Sequence, residues 1–214
     1  MNLVGHVAVG LRRFPAAEPE FLLGCMLPDL AAMARVRLAP ASGAVGDGVA
    51  LHHASDAVFH SSDWFREHNL LVRDDLLAAG VDRGPARASA HAGLEMLLDG
   101  GLAADPAIVD ATEAAFAAAR DDRSTSDAVA ALVDDDERDL WRARVAMIGR
   151  AVHPGVYTST DEIAWRLHRM TRGRTRIELP RDQVDAVAVA LEKRQGAVVG
   201  QAGRVVSDVV VALP

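Results

Sequence analysis

The sequence predicts an all-α fold, a single-domain helical bundle of about eight to ten helices over residues 1–214, on three observations. The chain is rich in alanine, and only 4% of its residues are aromatic, a composition that favours helices over strands. Its apolar residues return at intervals of three and four rather than alternating. Prolines and capping residues stand where helices would begin. With 214 residues, half of them hydrophobic, the chain can bury one sizeable core, and no shift in composition marks a second domain.

Each element follows from local signals. Leu3, Val7 and Leu11 share a stripe, which predicts a short helix over 2–14 with His6 beside the stripe. Pro19 suits the first turn of a second helix carrying Phe21, Leu22, Cys25 and Met26, and Pro28 predicts a kink or break just before Asp29. Residues 39–48, rich in glycine, proline and small side chains, read as a loop. Helical spacing resumes from Val49 to His60. Ser62-Asp63 caps the next helix, with Trp64, Phe65, Leu70 and Leu76 on it. Gly84-Pro85 opens a helix that runs through His91 and Glu95 to Leu98 and stops at Gly100-Gly101. Asp105-Pro106 opens another.

The second half, 102–214, is helical too, with a polar loop region around 120–139 holding one short helix. The acidic run Asp134–Glu137 lacks the glycine and spaced ligands of a calcium loop and reads as a solvated helix N-terminus. A helix over 140–152 ends at His153-Pro154-Gly155, and Ser159 with Glu162 forms a capping box. One or two helices follow Pro180, with the Val205–Leu213 segment open to a strand reading.

The net charge of −7 argues against a nucleic-acid partner. A lone cysteine, Cys25, in an apolar run excludes an internal disulfide and any multi-thiolate zinc site. No stretch reaches the ~20 apolar residues of a membrane span, and no signal peptide is evident, so the expected location is the cytoplasm.

The chemistry gathers in residues 1–101. Six of the eight histidines precede residue 92, interleaved with Asp29, Asp56 and Glu95 in otherwise apolar segments. His52, Asp56 and His60 lie four residues apart, which places them on one helix face with neighbours about 6 Å apart. His91 and Glu95 repeat that spacing on a later helix. Imidazoles and carboxylates converging from two helices are a plausible ligand set for Mn²⁺, Zn²⁺ or Fe²⁺, with His6 and Asp29 closing the shell. His53, rotated about 100° from His52, cannot face the same point and is assigned to the cleft wall. His68, His153 and His168 read as surface residues, and Arg35 and Arg37 as an exposed helix end able to attract phosphate.

At these residues the chain resembles the acyl carrier protein phosphodiesterases, a divergent branch of the HD-domain metal-dependent phosphohydrolases. The opening Met1-Asn2-Leu3-Val4-Gly5-His6, the segment Gly24-Cys25-Met26-Leu27-Pro28-Asp29 and the stretch Gly48-Val49-Ala50-Leu51-His52-His53-Ala54-Ser55-Asp56 are similar to that family's motifs, and His91 matches its later helical histidine. The resemblance spans roughly the first hundred residues. Ala90 precedes His91 where the family has a His-Asp or Asp-His dipeptide, and Ala50 replaces a family histidine. It implies an HD-like helical fold, a divalent metal with Mn²⁺ first, candidate site roles for His6, Asp29, His52, Asp56 and His91, and a phosphodiester substrate joined to an acyl carrier protein.

The expected activity is metal-dependent phosphodiester hydrolysis. Asp29 or Asp56 would orient the attacking water, and His53 or His60 would protonate the leaving group. The metal ligands expected are His6, Asp29, His52, Asp56, His91 and Glu95. Two rivals stand beside it: a non-catalytic helical protein with a structural metal or none, and a helical hydrolase of another phosphoester such as a phospholipid or nucleotide.

Overall fold

Helix starts follow the predicted caps closely. The computed structural model describes residues 1–151 and 154–214, and among them eleven α-helices follow one another with no strand. They are α1 (Leu3–Arg13), α2 (Pro19–Ala34), α3 (Gly43–Ser61), α4 (Asp63–Ala78), α5 (Arg83–Leu102), α6 (Pro106–Asp121), α7 (Arg123–Ala130), α8 (Arg138–Ala151), α9 (Thr160–Thr171), α10 (Val184–Val199) and α11 (Ala202–Ala212). Short 3₁₀ turns lie at Asp135–Glu137, Pro154–Thr158 and Arg181–Gln183. Pro19 and Pro106 sit in the first turns of α2 and α6, where a missing N–H costs nothing. Ser62, Asp105 and Ser159 accept backbone N–H groups as N-caps of α4, α6 and α9.

Several boundaries correct the sequence reading. Eleven helices stand against the eight to ten expected; two of them follow Pro180, and the Val205–Leu213 segment belongs, up to Ala212, to a helix, α11, rather than a strand. The glycine-rich 39–48 segment is a loop only to Ser42, and α3 already begins at Gly43. Gly100-Gly101 does not end α5 either. These glycines admit neighbouring backbone: a Cβ at Gly100 would lie 2.2 Å from the Tyr157 carbonyl oxygen. Pro28 leaves α2 continuous. The expectation for His153 falls outside the described residues.

Buried apolar side chains from Met1 to Val209 form one cluster. Helix α5 runs through it with Leu94, Leu97 and Leu98 fully buried, touching α1, α4, α9, α10 and α11. The N-terminus of α1 gets no cap from Asn2. Instead the buried carboxylate of Asp99, one turn beyond Glu95 on α5, accepts the N–H groups of Val4 (3.2 Å) and Gly5 (2.8 Å). Burial pushes Asp99 up to about 7 while those two bonds pull it down. The contact fixes His6, on the first turn of α1, against the face of α5 that carries Glu95.

Helices α2 and α3 meet along their glycines. A Cβ on Gly48 would stand 2.1 Å from the Phe21 carbonyl oxygen, and one on Gly24 would stand 2.3 Å from that of Val45. Backbone therefore packs directly on backbone. His52, one turn after Gly48, is thereby brought within reach of the Cys25 carbonyl, one residue after Gly24. Among the described residues no helix is long and apolar enough to cross a membrane.

Candidate metal centre

Four helices deliver the predicted side chains to one place. Ligand atoms of His6 (α1), Asp29 (α2) and His52 (α3) lie within 4.8 Å of one another, as do those of His60 (α3), His91 and Glu95 (α5). Asp56 joins the two groups: Oδ1 is 3.5 Å from His6 Nε2, and Oδ2 is 3.5 Å from His60 Nδ1. The stripe His52-Asp56-His60 thus serves both groups from one face of α3. Arginine takes no part in either group.

The protons of the first group are assigned by their partners. His52 Nδ1 donates to the Cys25 carbonyl at 2.8 Å, which turns its Nε2 lone pair inward. Ser55 Oγ donates to the His52 carbonyl at 2.9 Å, and His6 Nδ1 donates to Ser55 Oγ at 3.1 Å. His6 Nε2 is then also a bare lone pair. It faces two acceptors, the Met1 carbonyl at 3.1 Å and Asp56 at 3.5 Å, with Asp29 at 3.9 Å.

Acceptors facing acceptors repel unless a cation lies between them. Asp29 Oδ2 is buried and makes no hydrogen bond, and burial pushes its carboxyl up to about 8. The stacked rings of His6 and His52, with centroids 3.9 Å apart, both resist protonation because burial disfavours their charge; His52 is pulled down to about 3. The Met1 ammonium supplies one positive charge, 2.6 Å from Asp56 and 3.4 Å from Glu95. Burial alone would raise Asp56, but the Met1 ammonium bonded to it holds it well below the usual carboxylate range. The donor set, the orphaned Asp29 oxygen and the inward lone pairs fit a divalent cation.

The second group is more open. His60 Nε2 lies 2.8 Å and His91 Nε2 3.2 Å from the same Glu95 oxygen. Burial would raise Glu95, but those two histidines hold it below its ordinary range. His91 is half exposed, so this group faces solvent. His60, expected as a proton donor, is engaged on both nitrogens. His53 is exposed and joins neither group, its ring edge-on to His52 at 5.2 Å. His68 and His168 are half-buried rather than on the surface, each Nδ1 bonded at 2.8 Å to a backbone carbonyl, of Trp64 and Leu179 respectively.

Sequence reasoning missed Ser55, which shares a helix face with His52 at three-residue spacing, and Asp99, which extends His91-Glu95 by another four. Both signals were present in the spacing. It also missed a cavity of about 360 Å³ that opens on Asp29 and Glu95 and is walled by Arg35, Arg169 and Arg174. Arg169 and Arg174 are 140 residues or so downstream of Asp29, beyond any local pattern.

Arg35 closes α2 in the left-handed conformation (φ 57°, ψ 40°), which favours glycine. Arg35→Gly is expected to stabilise the fold by about 0.5–1 kcal/mol in thermal denaturation. A loss of stability would show that the side chain serves packing instead.

Comparison with protein-family models, curated proteins and solved structures finds no match to this chain.

Proposed function

We propose that the chain is a metal-dependent phosphohydrolase that cleaves a phosphodiester. The observation carrying this reading is the pair of inward Nε2 lone pairs, His6 and His52, set against the unpartnered Asp29 oxygen at a cavity walled by arginines. His6, Asp29 and His52 would hold one cation, with His60, His91 and Glu95 holding a second and Asp56 shared between them. Mixed imidazole and carboxylate ligands suit Mn²⁺ first, with Zn²⁺ and Fe²⁺ as alternatives. When bound, such a cation lowers the pKa of water and neutralises charge on a phosphoryl oxygen.

In the overall hydrolysis, water oxygen bonds to phosphorus, the P–O bond to the leaving alcohol breaks, and a proton reaches the departing oxygen. Arg35, Arg169 and Arg174 would bind and orient the phosphate beside Asp29 and Glu95. The resemblance to the carrier-protein phosphodiesterases supports the same reaction class and alone suggests an acyl carrier protein as the substrate.

Elemental analysis tests the first step. Purified protein is expected to hold roughly one or two equivalents of Mn²⁺, Zn²⁺ or Fe²⁺, and His52→Ala to hold markedly less. After chelation, turnover of bis-p-nitrophenyl phosphate is expected to return with one of these metals. Protein that binds no metal, or metal-loaded protein that never turns over the ester, would leave only a structural role.

A further inference from the structure

The cavity beside Asp29 and Glu95 does not end there. It shares Met33, Arg35, Met96, Arg169 and Met170 with a second cavity of about 510 Å³, so the two form one cleft. The far part is framed by α2, α5, α8, α9 and the turn holding Tyr157, and is lined mostly by apolar atoms. Four of the six methionines in the chain line it. Two of these, Met147 at 57% and Met170 at 38%, are exposed. Methionine is flexible and polarizable, and clusters of it mark surfaces that accept varied apolar chains.

The cleft therefore has a cationic end and a mainly apolar end, where Arg144 and Arg166 also reach the lining but are engaged by the Ala34 carbonyl and the Tyr157 ring. Among the described residues no carboxylate pairs with the guanidinium of Arg35, Arg169 or Arg174, so their charge is available to an anion. A nucleoside or a polar peptide arm would leave its hydrogen-bonding groups facing thioethers. An alkyl chain would cover them.

We propose that the cleft receives a phosphoester bearing a flexible alkyl chain, its phosphoryl group among Arg35, Arg169 and Arg174 at the metal centre and its chain along Met33, Met147 and Met170. This inference rests on the metal-dependent phosphohydrolase reading for its chemistry, but binding alone tests it. Burying one methylene fully is worth a factor of about four, and a half-open cleft about half of that free energy, or twofold. Six extra methylenes should thus count for tenfold or more.

Calorimetric titration of the intact protein compares ethyl phosphate, octyl phosphate and octyltrimethylammonium, all below their aggregation limits. Octyl phosphate is expected to bind at least about tenfold more tightly than ethyl phosphate, and the cation of equal chain length not detectably. Met147→Gln, which lines only the far part of the cleft, is expected to remove much of the chain-length advantage without changing ethyl phosphate affinity. Arg169→Ala should weaken both phosphates alike. Equal affinity for the two phosphates, or tight binding of the octyl cation, overturns the proposal. Turnover of bis-p-nitrophenyl phosphate without any chain preference defeats the cleft inference alone. Octyl phosphate binding without metal-dependent hydrolysis of octyl p-nitrophenyl phosphate upholds the cleft and defeats the enzyme reading.

Discussion

Gly48→Ala is expected to destabilise the fold by about 3 kcal/mol or more and to abolish metal retention with it. The added Cβ would meet the Phe21 carbonyl oxygen at 2.1 Å, the Cys25 nitrogen at 2.8 Å and the Gly24 Cα at 2.8 Å. All three are backbone atoms of α2, so no side chain can swing aside, and the helices must part. Parting them stretches the 2.8 Å bond from His52 to the Cys25 carbonyl, the contact that sets which imidazole nitrogen points inward. Gly196→Ala is the matched control. That glycine lies inside α10 with nothing within 4 Å of its would-be Cβ, so the same substitution should stabilise by up to about 1 kcal/mol. Urea denaturation of both variants gives the signs. Similar small effects would mean that the α2–α3 crossing yields easily and does not position His52.

The fold class was legible because its signals are local: caps, proline positions and three-to-four spacing each act within a turn or two. The candidate site was legible for a related reason. His52, Asp56 and His60 share a face by arithmetic, and so do His91 and Glu95. What the spacing could not supply was which helices meet. Gly48 and Gly100 looked like loop or stop signals, yet each is a point where another backbone comes within a side chain's width. Pro28 looked like a break, yet the core on both sides holds α2 together. In each case tertiary packing overrode a local preference worth at most a few kcal/mol. Arg35 was legible as a possible phosphate contact, but Arg169 and Arg174 escaped notice because only the folded core brings α9 and the turn after it to α2.

Asp29→Asn separates a metal role from a structural one better than any histidine substitution. His52→Ala removes a proposed ligand, the Cys25 bond and the stack on His6 together. Asp29 Oδ2, by contrast, is buried with no hydrogen-bond partner, so the metal-free fold has little use for its charge. Burial pushes that carboxyl up to about 8, meaning the protein favours its neutral form when no cation is near. An amide of the same shape should leave metal-free stability within about 1 kcal/mol of wild type or raise it. Metal affinity should fall by about 100-fold or more, since even residues that merely orient a ligand are worth 10- to 100-fold. The measurement is competitive metal titration against a chelator, paired with urea denaturation of the stripped protein. Intact affinity would remove Asp29 from the ligand set, while a large loss of metal-free stability would reassign its carboxylate to holding α2 against α1.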